Sequence, residues 1–329
     1  MRLSVLDQSV AVAGRSEADA IRDSLALAGH CEALGYHRFW VSEHHNLPTI
    51  VGTAPEILMA AIAATTQRIR IGSAGVMLPH YSALKVAEQF RVLEALAPGR
   101  IDLGVGRAPG GDMRTARALN PNAHASADDF PEQVRDLQAW TALPAHLGIT
   151  AHPRGKHAPE LWILGSSNYG AQLAAHFGLP YAYAYFFVDG QGADEALALY
   201  RRLYRASERH QRSQATVCVW ALAADTSEEA MHHALGRERW RVDRARGVLG
   251  PLEAPEAIAA RGFTADEWPT VEAMRRKAFV GSGAQVAEQL RALAMELQLD
   301  EIVINTWAHD PSVRRRSYAL IAREFGLTP

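Results

Sequence analysis

Short apolar segments rich in β-branched and aromatic residues alternate with amphipathic helical patterns along all of this 329-residue sequence. Eight such pairs predict an α/β fold built on a parallel sheet. No Pro/Gly/Ser linker, low-complexity tract or internal repeat divides them, so they predict a single (β/α)8 TIM barrel domain over residues 1–329, with insertions. A doubly wound open sheet is the structural alternative.

The first strand is Leu3-Ser4-Val5-Leu6, and a helix over 16–34 follows, closed by Gly35. The second begins Arg38-Phe39-Trp40-Val41 and runs into Ser42-Glu43-His44-His45-Asn46, an abrupt cluster of polar, titratable groups. Strand side chains alternate, so Trp40, Ser42 and His44 are expected on one face and Val41, Glu43 and His45 on the other. A helix at about 54–65 leads to the third strand, 69–76. A helix at about 83–96 stops at Ala97-Pro98-Gly99, and the fourth strand is Ile101-Asp102-Leu103-Gly104-Val105-Gly106. Residues 107–127, rich in Gly, Pro, Asn and Ala, read as a long loop before a helix near 129–140. The fifth strand, Leu161-Trp162-Ile163-Leu164, enters Gly165-Ser166-Ser167-Asn168 and a helix ending at Gly178. Residues 181–188 read as the sixth strand and 216–223 as the seventh. The longest insertion follows strand seven as a charged, Pro-punctuated segment at 232–280. A helix over 284–297, the eighth strand Glu301-Ile302-Val303-Ile304-Asn305 and a helix after Pro311 close the chain.

A formal net charge of −2 gives no reason to expect nucleic acid or an anionic membrane as partner. The amino-terminal strand starts at once and no apolar run reaches membrane-spanning length, so a cytoplasmic protein is expected. Cys31 and Cys218 form no CxxC pair or metal spacing and read as buried free thiols of a reducing compartment.

In a barrel, reactive groups collect where strands end. Those ends offer Asp7-Gln8-Ser9, His44-His45-Asn46, Ala74-Gly75, Arg107, Gly165-Ser166-Ser167-Asn168, Phe186-Phe187 and Asn305-Thr306-Trp307. Gly165-Ser166-Ser167 opens a helix, so backbone N–H groups, two hydroxyls and the helix dipole can face one anion. Arg107, ending the neighbouring strand, could add a bidentate partner. Each has a plainer reading, a helix cap for the serines and a surface position for Arg107. Gly104-x-Gly106 lacks the third glycine of a dinucleotide-binding turn. His44 and His45 alone make a poor metal site, because strands one, five, seven and eight end without histidine.

The segments 3–9, 39–46, 69–81 (IRIGSAGVMLPHY), 85–90 (KVAEQF), 98–111 (PGRIDLGVGRAPGG), 161–168, 174–180 and 281–290 together resemble the bacterial-luciferase-like flavin monooxygenases over essentially the whole chain. The resemblance implies a (β/α)8 barrel, reduced FMN supplied by a separate flavin reductase, O2 and a small organic substrate. It implies His44 as the catalytic histidine beside the flavin ring. Arg107, Ser166 and Ser167 would hold the FMN phosphate, with Tyr169 and Gly170 close by. Ala74 and Gly75 would lie under the ring, where the family often has a non-proline cis peptide. His45 and Glu88 would meet at a homodimer interface. Gly106 stands where bacterial luciferases carry a reactive cysteine, so thiol behaviour is not implied. A deazaflavin-dependent oxidoreductase of the same fold and a non-catalytic flavin-binding relative are the competing functions. Met77, Tyr185, Phe186, Phe187 and Trp307 are candidates for a water-excluding wall, and part of 232–280 is expected to act as a lid.

Overall fold

The computed structural model describes residues 1–108, 112–142 and 145–329, with residues 123–125 as backbone only. Among the described residues the strands are β1 (Arg2–Asp7), β2 (Arg38–Val41), β3 (Arg70–Met77), β4 (Ile101–Gly106), β5 (Glu160–Gly165), β6 (Tyr181–Tyr183), β7 (Ala215–Ala224), β8 (Phe279–Ser282) and β9 (Glu301–Asn305). All pairings are parallel. β6 pairs with both β5 and β7, and β9 pairs with both β7 and β1, so eight strands close into a ring and the (β/α)8 barrel is confirmed. β8 stands outside the ring, paired with the far end of β7 through Ala221–Phe279 to Ala224–Ser282.

Alternation along the strands separates two apolar regions. Val5, Phe39, Ile71, Leu103, Ile163, Val217 and Ile304 join the large core shared with the helices. Leu6, Trp40, Trp162, Ala182, Cys218 and Val303 form their own cluster. These side chains fill the barrel by matching large to small. Trp40 meets Trp162 edge to face at 5.2 Å, and a Cβ on Gly72 would sit 2.5 Å from the Trp40 ring.

The first residues of the strands seal the lower end of the barrel with charge. Arg38 donates to Asp102 (2.8 Å), Glu160 (2.9 Å) and Glu301 (2.9 Å), Arg70 also pairs with Asp102, and Ser4 donates to Glu301 at 2.6 Å. Burial alone would push the Glu160 carboxyl up, but the Arg38 and Arg70 guanidiniums hold it down at about 2. Every charge in this group has a partner, which is the condition for keeping ions in a core.

Three expected boundaries differ. The sixth strand stops at Tyr183, and Tyr185–Val188 is one turn of helix ended by Asp189 (φ 48°) and Gly190 (φ 80°). An aromatic run fits a strand or a short helical turn equally well, so periodicity could not separate them. The expected loop at 107–127 instead holds the helix Met113–Leu119 and all but the last residue of the helix Ala123–Asp128. The first is capped by Asp112, whose carboxylate accepts from Arg114 N (2.9 Å) and Thr115 N (3.0 Å). Residues 109–111, the end of the PGRIDLGVGRAPGG segment, lie outside the described residues. The segment after β7 is a helix, Ser227–Ala245, then Pro255–Arg261, Trp268–Arg276 and β8.

Cys31 and Cys218 are both buried and free, and burial pushes both thiols up. Among the described residues no helix is long and apolar enough to cross a membrane.

Candidate active site

Beyond Val41 the strand-like alternation persists and gives the two histidines different surroundings. His44 Nδ1 shares a 3.2 Å hydrogen bond with the Ser42 hydroxyl, and the His44 backbone N–H donates to Gly52 O at 3.0 Å. His45 Nε2 lies 2.8 Å from a Glu43 carboxylate oxygen. Glu43, buried, also accepts from the Tyr81 hydroxyl (2.6 Å) and the Met77 N–H (3.0 Å). His45 thus faces the end of β3, while His44 faces a cavity of about 370 Å3 at the upper end of the barrel.

The strand ends contribute Gln8, His44, Trp220, Asn305 and Trp307 to that cavity, and Phe186 and Phe187 follow β6. The Gln8 side-chain oxygen accepts from Trp307 Nε1 (3.0 Å) and Asn305 Nδ2 (2.5 Å). An indole N–H can only donate, so this atom is the oxygen, and the Gln8 NH2 keeps its hydrogen-bonding capacity. Of the five expected wall residues, Phe186, Phe187 and Trp307 line the cavity. Tyr185 packs against Phe279 instead, at 6.0 Å, and Met77 is buried beside Glu43.

The remaining wall is the helix Ser227–Ala245, which presents Arg237, Trp240, Arg241 and Arg244. Their spacing of three, four and seven residues places them on one helical face. Three of the segment's arginines, Arg237, Arg241 and Arg244, therefore border the cavity. On another face Arg239 forms a two-point pair with Glu267 (2.9 and 2.7 Å), and Glu238 one with Arg275 (2.7 Å each). Val242 packs there with Val271 and Met274. Trp240 anchors the helix across the mouth. Its ring meets Trp307 at 4.7 Å, and its N–H donates to Thr49 Oγ1 at 2.7 Å. Arg241 grips Asp189 through two bonds of 2.6 and 2.7 Å.

Electrostatics set the protonation of His44. Burial, helped by the Arg244 charge, pulls its pKa down to about 4 against an opposing pull from Glu43. The imidazole is therefore neutral at pH 7, and with Nδ1 engaged by Ser42 its Nε2 is the nitrogen left for a ligand.

A second corner of the mouth has the character of an anion site. β4 and β5 pair in parallel and deliver Arg107 and the Gly165-Ser166-Ser167 turn side by side. The Arg107 guanidinium lies 4.1 Å over the Tyr169 ring, in the first turn of the helix Asn168–Phe177. Ser167 is the N-cap in extended conformation, yet its hydroxyl makes no cap hydrogen bond, so the plain cap reading fails for it. The first-turn N–H groups keep their capacity for an external acceptor. Gly170 holds the helix close to the strand end, since a Cβ there would come within 3.2 Å of the Tyr181 ring.

The Ala74–Gly75 peptide is cis, at a shift of register between β3 and β4. A Cβ on Gly75 would lie 2.6 Å from the Gly104 carbonyl oxygen, so only glycine fits. Ala74 packs with Leu164 and Phe186 on the apolar cluster inside the barrel. The expected interface residues lie apart from this mouth, His45 on Glu43 and Glu88 half-exposed on the helix Ala83–Leu96. His44 lies on the cavity, and Arg107, Ser166, Ser167, Tyr169 and Gly170 lie together where β4 and β5 end. Trp220 and the four helix residues were missed, although their helical spacing was a usable signal.

Comparisons with known proteins agree with this geometry. Residues 1–300 match the family described as luciferase-like monooxygenase. A luciferase-like monooxygenase of Escherichia coli (strain K12) is 37% identical, the alignment covering 96% of this chain and 95% of that protein. The N-acetyl-S-alkylcysteine monooxygenase of Bacillus subtilis (strain 168) is 35% identical, over 98% and 97%. The crystal structure of apo-MsnO8 superposes with a TM-score of 0.93 at 36% identity, covering 100% of this chain and 99% of that one. A closed parallel barrel with its mouth at the strand ends, matched by similarity along the whole chain, shows that this protein belongs to the luciferase-like monooxygenase family.

Proposed function

We propose that the protein is the oxygenating component of a two-component system. It binds FMN reduced by a separate flavin reductase and uses it with O2 to oxygenate a small organic substrate beside His44. The observation that carries this reading is the anion corner, where Arg107 on Tyr169, the Ser166 and Ser167 hydroxyls and free helix N–H groups suit a phosphate monoester. Bound reduced FMN supplies the electrons that activate O2. The chain's residues do the rest. Ala74 and Gly75 give the ring a close backbone floor, which the absence of a Cβ at Gly75 permits. The neutral His44 exchanges a proton at Nε2, with Ser42 fixing the ring through Nδ1. Phe186, Phe187, Trp240 and Trp307 exclude water from the reacting atoms.

Fluorescence titration of the full chain with FMN, riboflavin and a deazaflavin cofactor tests the assignment. FMN is expected to bind tightest. Arg107→Ala is expected to weaken FMN by about 1.5–3 kcal/mol, the range for a hydrogen bond to a charged group, and to leave riboflavin within about twofold. Equal losses for both flavins would remove Arg107 from the phosphate site, and tighter binding of the deazaflavin would turn the reading toward a dehydrogenase or reductase.

A further inference from the structure

Arg237 is a cation whose neighbouring carboxylates are already committed. Asp189 is held by two bonds from Arg241, and Glu238 by two bonds from Arg275. Among the described residues Arg237 has no ion pair. Its contacts are the face of Trp220, 4.3 Å from the guanidinium carbon, and a long 3.5 Å hydrogen bond to the Phe186 carbonyl. Burial and the nearby Arg241 charge pull its pKa down to about 9, which still leaves it protonated at neutral pH. Trp220, only 5% exposed, adds a second unspent donor, because its buried indole N–H has no partner among the described residues. Both residues line the cavity that His44 faces. A half-buried guanidinium without a counter-charge and a buried N–H without an acceptor on one wall are costly unless an acceptor arrives to meet them. The opposite character, the edge-to-face pair Trp240–Trp307 with Phe186, suits an apolar or aromatic body. Exposed Arg244, stacked on Trp240 at 5.1 Å, places further positive charge at the mouth.

We propose that the substrate of this cavity is an organic acid with an apolar body, and that Arg237 binds its carboxylate with the Trp220 N–H as a second donor. The proposal rests on the cavity being the substrate site of the oxygenase described above. It says that the charge of the substrate, and not only its shape, is read on the wall formed by the helix Ser227–Ala245.

Phenylacetate and its neutral analogue phenylacetamide are suitable probes, because three cavity tryptophans report binding by fluorescence. The full chain is titrated with each, with and without FMN. The acid is expected to bind at least about tenfold tighter than the amide. Arg237→Gln is expected to bring the two within about threefold, Arg237→Lys to keep most of the preference, and Trp220→Phe to lose a smaller part. Flavin titration of Arg237→Gln is expected to leave FMN affinity within about twofold. Equal or undetectable binding of both probes by the wild type overturns the proposal, as does a preference that survives Arg237→Gln. A tenfold loss of FMN affinity with the preference intact overturns it too, and assigns Arg237 to the flavin ring. Failure of FMN to bind at all strikes the oxygenase reading alone, since the acid-over-amide preference is also measured without flavin.

Discussion

His44 shows how much of a residue's chemistry comes from its surroundings. Its identity and its place at a strand end were visible in the sequence, but its protonation state was not. An exposed histidine titrates near 6.5, whereas burial, with Arg244 contributing, holds this one near 4. The sign follows directly. The folded state resists protonating His44, so the stability it gains by keeping the ring neutral is lost as pH falls from about 6.5 through about 4. NMR titration of the ring proton is expected to give a midpoint near pH 4 in the wild type. In Arg244→Gln the midpoint should rise but stop short of 6.5, because burial is the larger cause. A wild-type midpoint near 6.5 would contradict the neutral imidazole, and an unmoved midpoint in the variant would clear Arg244. Arg237 is the opposite case. Seven charges between 237 and 246 look alike in sequence, and only the packing of the helix decides which of them meet the cavity without an anion, Arg237 half-buried and Arg244 exposed.

At the scale of elements, the strands and main helices were legible because their patterns are regular and their ends explicit, with a start at Ser16 and stops at Gly35 and Pro98-Gly99. The misread pieces are short. The Tyr185–Val188 turn is built from strand-forming residues, and the Met113–Leu119 helix follows a glycine- and proline-rich stretch that hides its Asp112 cap. The segment after β7 was located correctly as part of the mouth, but its charges serve internal pairs. Those pairs bear on the lid expected of 232–280. The helix Ser227–Ala245 is held to the β6 side by Arg241 and Asp189, and to the opposite rim by Trp240 and Thr49. Opening it must break the half-buried Arg241–Asp189 grip, a contact of about 1 kcal/mol. Hydrogen exchange in residues 237–245 is therefore expected to quicken several-fold in Asp189→Asn, and to slow when FMN and phenylacetate are present. Exchange indifferent to both changes would make the helix a fixed wall rather than a lid.

At the scale of the whole molecule, we propose a homodimer with His45 and Glu88 at its interface. Ile57 (67% exposed), Val92 (48%) and Leu96 (59%) leave apolar side chains on the outer surface of the helices Pro55–Thr65 and Ala83–Leu96. Sedimentation at several concentrations is expected to show a dimer that His45→Ala loosens about tenfold. A wild type that stays monomeric at every concentration would end the proposal. Closure of the barrel was legible in the count of strands, whereas any surface meeting a second chain leaves no period to read.

The ion network beneath the barrel has a consequence for how such a protein can change over generations. Arg38, Asp102, Glu160 and Glu301 share no side chain with the residues around His44, and a layer of tryptophan and aliphatic groups lies between them. Effects of substitutions at separated, unshared sites add rather than compound. The mouth can therefore drift toward new molecules, one wall residue at a time, while the lower end keeps the ring closed.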